Sequence, residues 1–433
     1  PKMRKSMLHM SSSDAIISTK NSLLKINHEI TTNSSIGSGD SVQPFHFENC
    51  SEITSICLSD CQTYVFATYS NNYICCWDQS DSRVIGSQML KKRATSIVFC
   101  QESTLGKYKA LIVADKSGDL YILDVPQLRS MFLFGGHTTS IVTDMISHNS
   151  MLFTADRDEK IRISCYPNVF SIHTYCLGHK SVVSSLCICR IGDESYLVSI
   201  GWDYNLMIWQ PESGTLLVQH NFPQQQQQFR DEVQLEEVIE PNSNAPPDDE
   251  EADDERIRDE SNAGSYPLQV IAAHSHPFLC VLFRNSTHIE LFQLTSIGDG
   301  VLKDMEVTNK SIEEAQSTLE VIKVFEMELP AIPCDCIFTA DDSHLMVLLP
   351  APHYLLQFDV IASVASVTLQ QSSESLPLVN TFNAYCLEND IAYIQTSAGA
   401  DIAMLKHSLD RPFDKSTSIK TDSRKGAKRS RKF

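Results

Sequence analysis

A turn-plus-strand unit recurs four times in the first half of the chain, and this recurrence restricts the fold more than any other feature. The copies are Asn71-Asn72-Tyr73-Ile74-Cys75-Cys76-Trp77, Ser117-Gly118-Asp119-Leu120-Tyr121-Ile122-Leu123, Asp158-Glu159-Lys160-Ile161-Arg162-Ile163-Ser164 and Asp203-Tyr204-Asn205-Leu206-Met207-Ile208-Trp209. Each places a polar turn before a short apolar strand. Their last positions, 77, 123, 164 and 209, are 46, 41 and 45 residues apart, close to the period of about 40–45 residues at which four-stranded propeller blades repeat. Within one period the runs 95–99, 110–114 and 120–124 are strand-like and separated by turn residues, so each unit reads as a β-meander.

The spacing predicts an all-β chain, a WD-repeat β-propeller. Two units open with Gly136-His137 and Gly178-His179, followed by Asp158 and Asp203. Each histidine is expected to donate to the turn aspartate of its own blade, in a buried structural network. The stretches 268–294 and 336–359 keep the same rhythm and give two further blades. Residues 15–27 and 380–406 each resemble part of a blade, and a closing blade shared between the termini makes the count seven and removes free edges. The expected organisation is a single propeller over 1–413 with a flexible basic tail at 414–433. Two inserts interrupt it. The stretch 224–262, with its glutamine run, reads as disordered and acidic; 296–317 reads as a polar inter-blade insertion in which Ser311 and Glu314 fit a helix capping box.

The formal charge of −19 is unevenly placed: two segments concentrate charge of opposite sign, and the rest of the chain carries −13. Residues 231–260 carry fourteen acids and two arginines, net −12, and residues 420–433 carry seven bases and one acid, net +6. No run approaches the ~20 apolar residues of a membrane span, and the first thirteen residues lack an apolar signal core, so a soluble, unsecreted protein is expected. Fourteen cysteines occur without any C-x-x-C. The pairs Cys187/Cys189 and Cys334/Cys336 sit two apart in apolar runs, as small hydrophobes on strands rather than zinc ligands. No G-x-G-x-x-G, Walker A, H-E-x-x-H or G-x-S-x-G sequence occurs, so neither catalysis nor a bound cofactor is expected of this chain.

The most unusual segment runs from Thr154 to Arg162, with six charges between Asp156 and Arg162. Where three repeats carry Cys75, Tyr121 and Met207, this one carries Arg162. Two readings stand side by side. Basic residues on an outer strand discourage edge pairing; alternatively Lys160 and Arg162, two apart and therefore on one side of a strand, form a docking patch for an acidic partner surface.

At these residues the chain resembles a known family. Ala114-Asp115-Lys116-Ser117-Gly118-Asp119, the run Thr154 to Arg162 and Cys176-Leu177-Gly178-His179 are similar to signature stretches of the WD-repeat non-catalytic subunit of tRNA (guanine-N7) methyltransferase, called Wuho in insects. The resemblance implies a heterodimer with a separate catalytic subunit that holds S-adenosylmethionine and forms N7-methylguanosine in the tRNA variable loop. It also implies that the propeller docks side-on and contacts tRNA through the complex. By carry-over, Lys160 and Arg162 are the docking residues, with Asp156, Arg157 and Lys116 beside them. In the tail, Arg424, Lys425, Lys428, Arg429, Arg431 and Lys432 suit tRNA phosphates, a nuclear localisation signal or plain solubility, and the expected location is nuclear with the cytoplasm as a second compartment. The rival reading is a general WD-repeat scaffold, a ubiquitin-ligase or chromatin adaptor that binds peptides on its central face.

Overall fold

The computed structural model describes residues 8–10, 14–18, 23–27, 42–49, 51–101, 109–129, 131–137, 140–223, 265–297, 318–350, 353, 355–362, 367–372, 379–380 and 382–383. Among these, twenty-eight strands, β1 to β28, form seven four-stranded antiparallel sheets. The blades span residues 8–45, 53–89, 94–136, 142–177, 183–221, 267–328 and 335–371. The innermost strands neighbour one another around the axis and line a central cavity of about 720 Å³.

Alternating side chains give each blade two apolar faces, and stacking them buries seven separate cores, one in every gap of the ring. The tight turn within the repeat requires a left-handed residue in every copy. Asn72, Gly118, Glu159 and Tyr204 occupy the same turn position with φ of 70°, 84°, 73° and 58°. At Gly118 a Cβ would lie 2.0 Å from the Ser140 carbonyl oxygen, so no other residue fits there.

The count of seven holds, but three details differ from expectation. The first blade is complete within the N-terminal stretch: β1 (Leu8–Met10), β2 (Asp14–Ser18), β3 (Leu23–Asn27) and β4 (Val42–Phe45) form one sheet. Among the described residues the ring therefore closes by packing rather than by a shared blade. Ala15, Ile17 and Leu24 of the first blade share a core with Met346, Leu348 and Leu355 of the last, and Val379 and Phe382 complete it. Second, the stretch 296–317 is not between blades. It joins the third and fourth strands of the sixth, β23 (His288–Ile297) and β24 (Thr318–Glu328), whose ends pair Ile297 with Thr318. Third, the repeated apolar segment is the third strand of each blade, not the outermost. The expected helix at Ser311, the whole acidic insert, the stretch 384–406 and the basic tail lie outside the described residues. The described cysteines are free thiols.

Candidate protein-docking site on the fourth blade

The charged run that stood out in the sequence folds into the fourth blade, made of β13 (Val142–His148), β14 (Met151–Asp156), β15 (Lys160–Cys165) and β16 (Ile172–Leu177). Its turn is built by Asp156. That carboxylate accepts the Lys160 backbone N–H at 2.9 Å through one oxygen and meets His137 Nδ1 at 2.9 Å through the other. His137 Nε2 lies 2.6 Å from Thr154 Oγ1. The histidine's partner is thus Asp156 and not Asp158, two residues later. In the next blade the equivalent position is Gly201, which has no side chain, so the carboxylate comes from Asp203, 3.0 Å from His179 Nδ1, with Ser199 Oγ 2.7 Å from Nε2.

Both arrangements have the order hydroxyl, imidazole, carboxylate found in nucleophilic catalysis, yet neither can act so. Thr154 and Ser199 are fully buried, and Ser199 Oγ also accepts the Trp209 indole N–H at 2.8 Å. They are pins between strands and turns. Burial would raise the Asp203 carboxyl, but the hydrogen bond and charge of His179, with the Lys180 N–H, outweigh it and hold the carboxyl below its ordinary range. A single His/Glu group, His288, Glu290 and Glu326, has metal-like spacing among the described residues. The Lys323 ammonium already bridges its two carboxylates, 2.6 Å from Glu290 and 2.7 Å from Glu326.

The five docking candidates separate by burial. Lys160 and Lys116 are exposed, Arg157 is half-buried 3.3 Å from Asp158, and Asp156 is consumed by the turn. Arg162 is only 9% exposed and donates from Nη1 to the Gly136 carbonyl at 2.8 Å, across the gap to the third blade, whose outermost strand is β12 (Met131–Gly136). Its Nε is buried with no hydrogen-bond partner. Burial lowers the guanidinium pKa, against Tyr175 and Asp156, which raise it. The reading of Lys160 and Arg162 as guards of an outer strand does not hold, because β15 is third in the sheet and β16 covers its edge.

What the sequence reading missed is β16 itself. In register, Lys160 pairs with Leu177, Arg162 with Tyr175 and Ser164 with Ile172, so these apolar residues share the face of the two cations. Leu177 is 65% exposed, Phe170 in the preceding loop 75%, and Ile172 and Tyr175 are about two-fifths exposed. A chain edge that shows this much apolar surface beside a basic residue marks an interaction site. The strand is held from its other side: His173 Nε2 donates to the Glu212 carbonyl at 2.6 Å and Thr174 Oγ1 to that of Ser213 at 3.3 Å. Its edge thus presents a preorganised surface. The alternation of 172–177 was the available signal, but a bulge between Ile163 and Ser164 breaks the phase at Ile172.

Residues 130–296 match the family model of the tRNA methyltransferase TRM82 WD40 domain. The fourth blade lies wholly inside this TRM82-like segment. The chain is 34% identical over 146 residues to the tRNA (guanine-N(7)-)-methyltransferase non-catalytic subunit wuho of Drosophila erecta, which covers 33% of this chain and 33% of that protein. The match therefore spans about a third of the length of that curated relative, which is named as non-catalytic. Two solved structures share the propeller fold. A chain of the mitotic checkpoint complex aligns with TM-score 0.56 and 11% identity over 84% of this chain and 91% of its own. The β-propeller domain of Cps50 (Swd1) from Myceliophteria thermophila aligns with TM-score 0.55 and 9% identity over 82% and 95%.

Proposed function

We propose that this chain is the non-catalytic subunit of a tRNA (guanine-N7) methyltransferase and docks side-on, through the fourth blade, against a separate catalytic subunit that holds S-adenosylmethionine. The observation that carries this reading is the buried guanidinium of Arg162, with an unpartnered Nε, beneath an exposed apolar strand and beside exposed Lys160. A partner that covers Phe170, Tyr175 and Leu177 and brings carboxylates to Lys160 and Arg162 satisfies both features at once. The TRM82 match, which contains this blade, and the wuho similarity support the choice of partner. Catalysis stays on that partner. Docking holds it in a form competent for tRNA, and this chain contributes no proton and no methyl group.

Mixing the chain with the catalytic subunit tests this. Tight association and tRNA N7-methylation are expected with the unmodified chain. Lys160→Glu/Leu177→Glu is expected to weaken association at least a hundredfold while thermal unfolding stays within a few degrees, because both side chains face solvent. Failure of the unmodified chain to bind would contradict the reading and favour the general scaffold, whose peptide site would be the mouth of the central cavity.

A further inference from the structure

In every four-stranded meander of a propeller, the turn between the second and third strands and the link from the preceding blade emerge at the same end. Contacts in this chain bear that out. The Lys116 N–H donates to the Arg93 carbonyl at 3.1 Å, Arg157 N–H to Ile141 at 3.0 Å, Trp202 N–H to Val182 at 2.9 Å and Arg284 N–H to Tyr266 at 2.8 Å. At this end the second to fifth blades carry Lys91, Lys92, Lys116, Lys160 and Lys180, all exposed, with half-buried Arg93 and Arg157. Lys92 reaches Ser117 in the neighbouring turn, so the link and the turn of the third blade make one cationic cluster. The acids at this end are exposed Glu48 and Glu159, half-buried Glu52, Asp119, Asp158 and Asp203, and buried Asp115 and Asp156. Among the exposed charges the five lysines outnumber the two glutamates, on a chain of formal charge −19.

An aromatic group closes the arc. Trp202 and Tyr204, on the turn of the fifth blade, pack with Tyr266 at ring-centroid distances of 5.7 and 5.5 Å, and all three are half-exposed. The Lys180 N–H donates to Asp203 on the same turn at 2.9 Å, which sets the last lysine beside the aromatic group.

We infer that this end of the propeller is an RNA track of the folded body itself, distinct from the apolar side of the fourth blade and from the basic tail. Lys91, Lys92, Lys116 and Lys180 meet phosphates, and Trp202 offers its ring to a base. Lysines along a curved rim neutralise an extended polyanion, and an aromatic at the end of the row suits a nucleobase, since every base has a π face to stack and a carboxylate has none. The inference rests on the proposed role in a tRNA methyltransferase and names how this subunit would take part in holding the substrate.

The test uses the full chain, so that the tail stays constant, and an unmodified tRNA transcript titrated at several salt concentrations. Lys91→Glu/Lys92→Glu/Lys180→Glu is expected to lower affinity at least tenfold and to reduce the slope of log K against log [salt] by about 2–3, with the neutral triple glutamine variant intermediate. Trp77 and Trp209 are buried, so a change in tryptophan emission on binding reports Trp202 and is expected to vanish in Trp202→Phe. An unchanged affinity and slope in the charge-reversed variant, or no emission change at saturation, overturns the inference. So does equally tight binding of polyglutamate, which would make the rim a site for acidic protein. Association of the same variant with the catalytic subunit is measured separately: its retention with lost tRNA affinity separates this track from the docking site, and its absence in the unmodified chain sinks the docking reading alone.

Discussion

Replacing Asp342 by alanine is expected to destabilise the protein by about 3 kcal/mol, the largest loss among single substitutions considered, because one buried carboxylate satisfies three backbone donors. Asp342 precedes β26 (His344–Leu348) in the seventh blade and its side chain is fully buried. It accepts N–H groups from His274 at 2.7 Å, Ser275 at 2.6 Å and His276 at 3.2 Å, in the loop that leaves β21 (Pro267–Ala272) of the sixth blade. The imidazoles of His274 and His276 lie 3.3 and 3.2 Å away. Truncation strands those donors and unties two blades.

The same carboxyl gives a pH signature. Burial acts to raise it, but the N–H donors and the two histidines prevail and hold it below its ordinary range. A carboxyl depressed in the folded state adds stability that is complete above its unfolded pKa of about 3.9 and is lost as the pH falls through the lower folded value. Denaturant titrations of the wild type and of Asp342→Asn should therefore differ by a constant amount between pH 5 and 7 and converge below pH 4. A gap that stays constant to pH 2.5 would show that the charge of Asp342 is not what ties the blades.

Arg162→Leu is expected to do the reverse, costing little stability and most of the binding. A buried guanidinium with one hydrogen bond to a carbonyl and a bare Nε is incompletely compensated, so removing it offsets the packing that the shorter leucine loses, and unfolding changes by about 1 kcal/mol or less. In the complex the same residue would face a desolvated partner carboxylate. Removing one member of such a pair typically costs about 2–5 kcal/mol, a loss of about thirtyfold or more in affinity. Arg162→Lys, which keeps the charge without the planar fork, should recover only part of it. Unfolding curves and binding titrations on the same preparations check both halves. A large loss of stability with unchanged affinity would make Arg162 only a strut between the third and fourth blades.

How far the sequence could be read follows from what each residue's environment required. The third strands announced the repeat because they are buried on both faces, as in Ile74-Cys75-Cys76-Trp77, and because each turn needs a left-handed residue before them. The first blade was faint, since β1 has only three residues and β4 contains Pro44. Asp158 was mistaken for the partner of His137 because it aligns with Asp203, whereas distance through the strand favours Asp156. Arg162 stood out correctly as an odd residue in the repeat. Its burial depends on Gly136, 26 residues away, and the apolar edge of β16 depends on a register that only the folded sheet defines.

Hydrogen–deuterium exchange of the full chain with and without the catalytic subunit tests side-on docking most directly. The account predicts new protection concentrated in 157–177, on the turn, β15 and β16, with the mouth of the central cavity unchanged. Protection confined to the cavity mouth, with 157–177 exchanging as in the free chain, would contradict it.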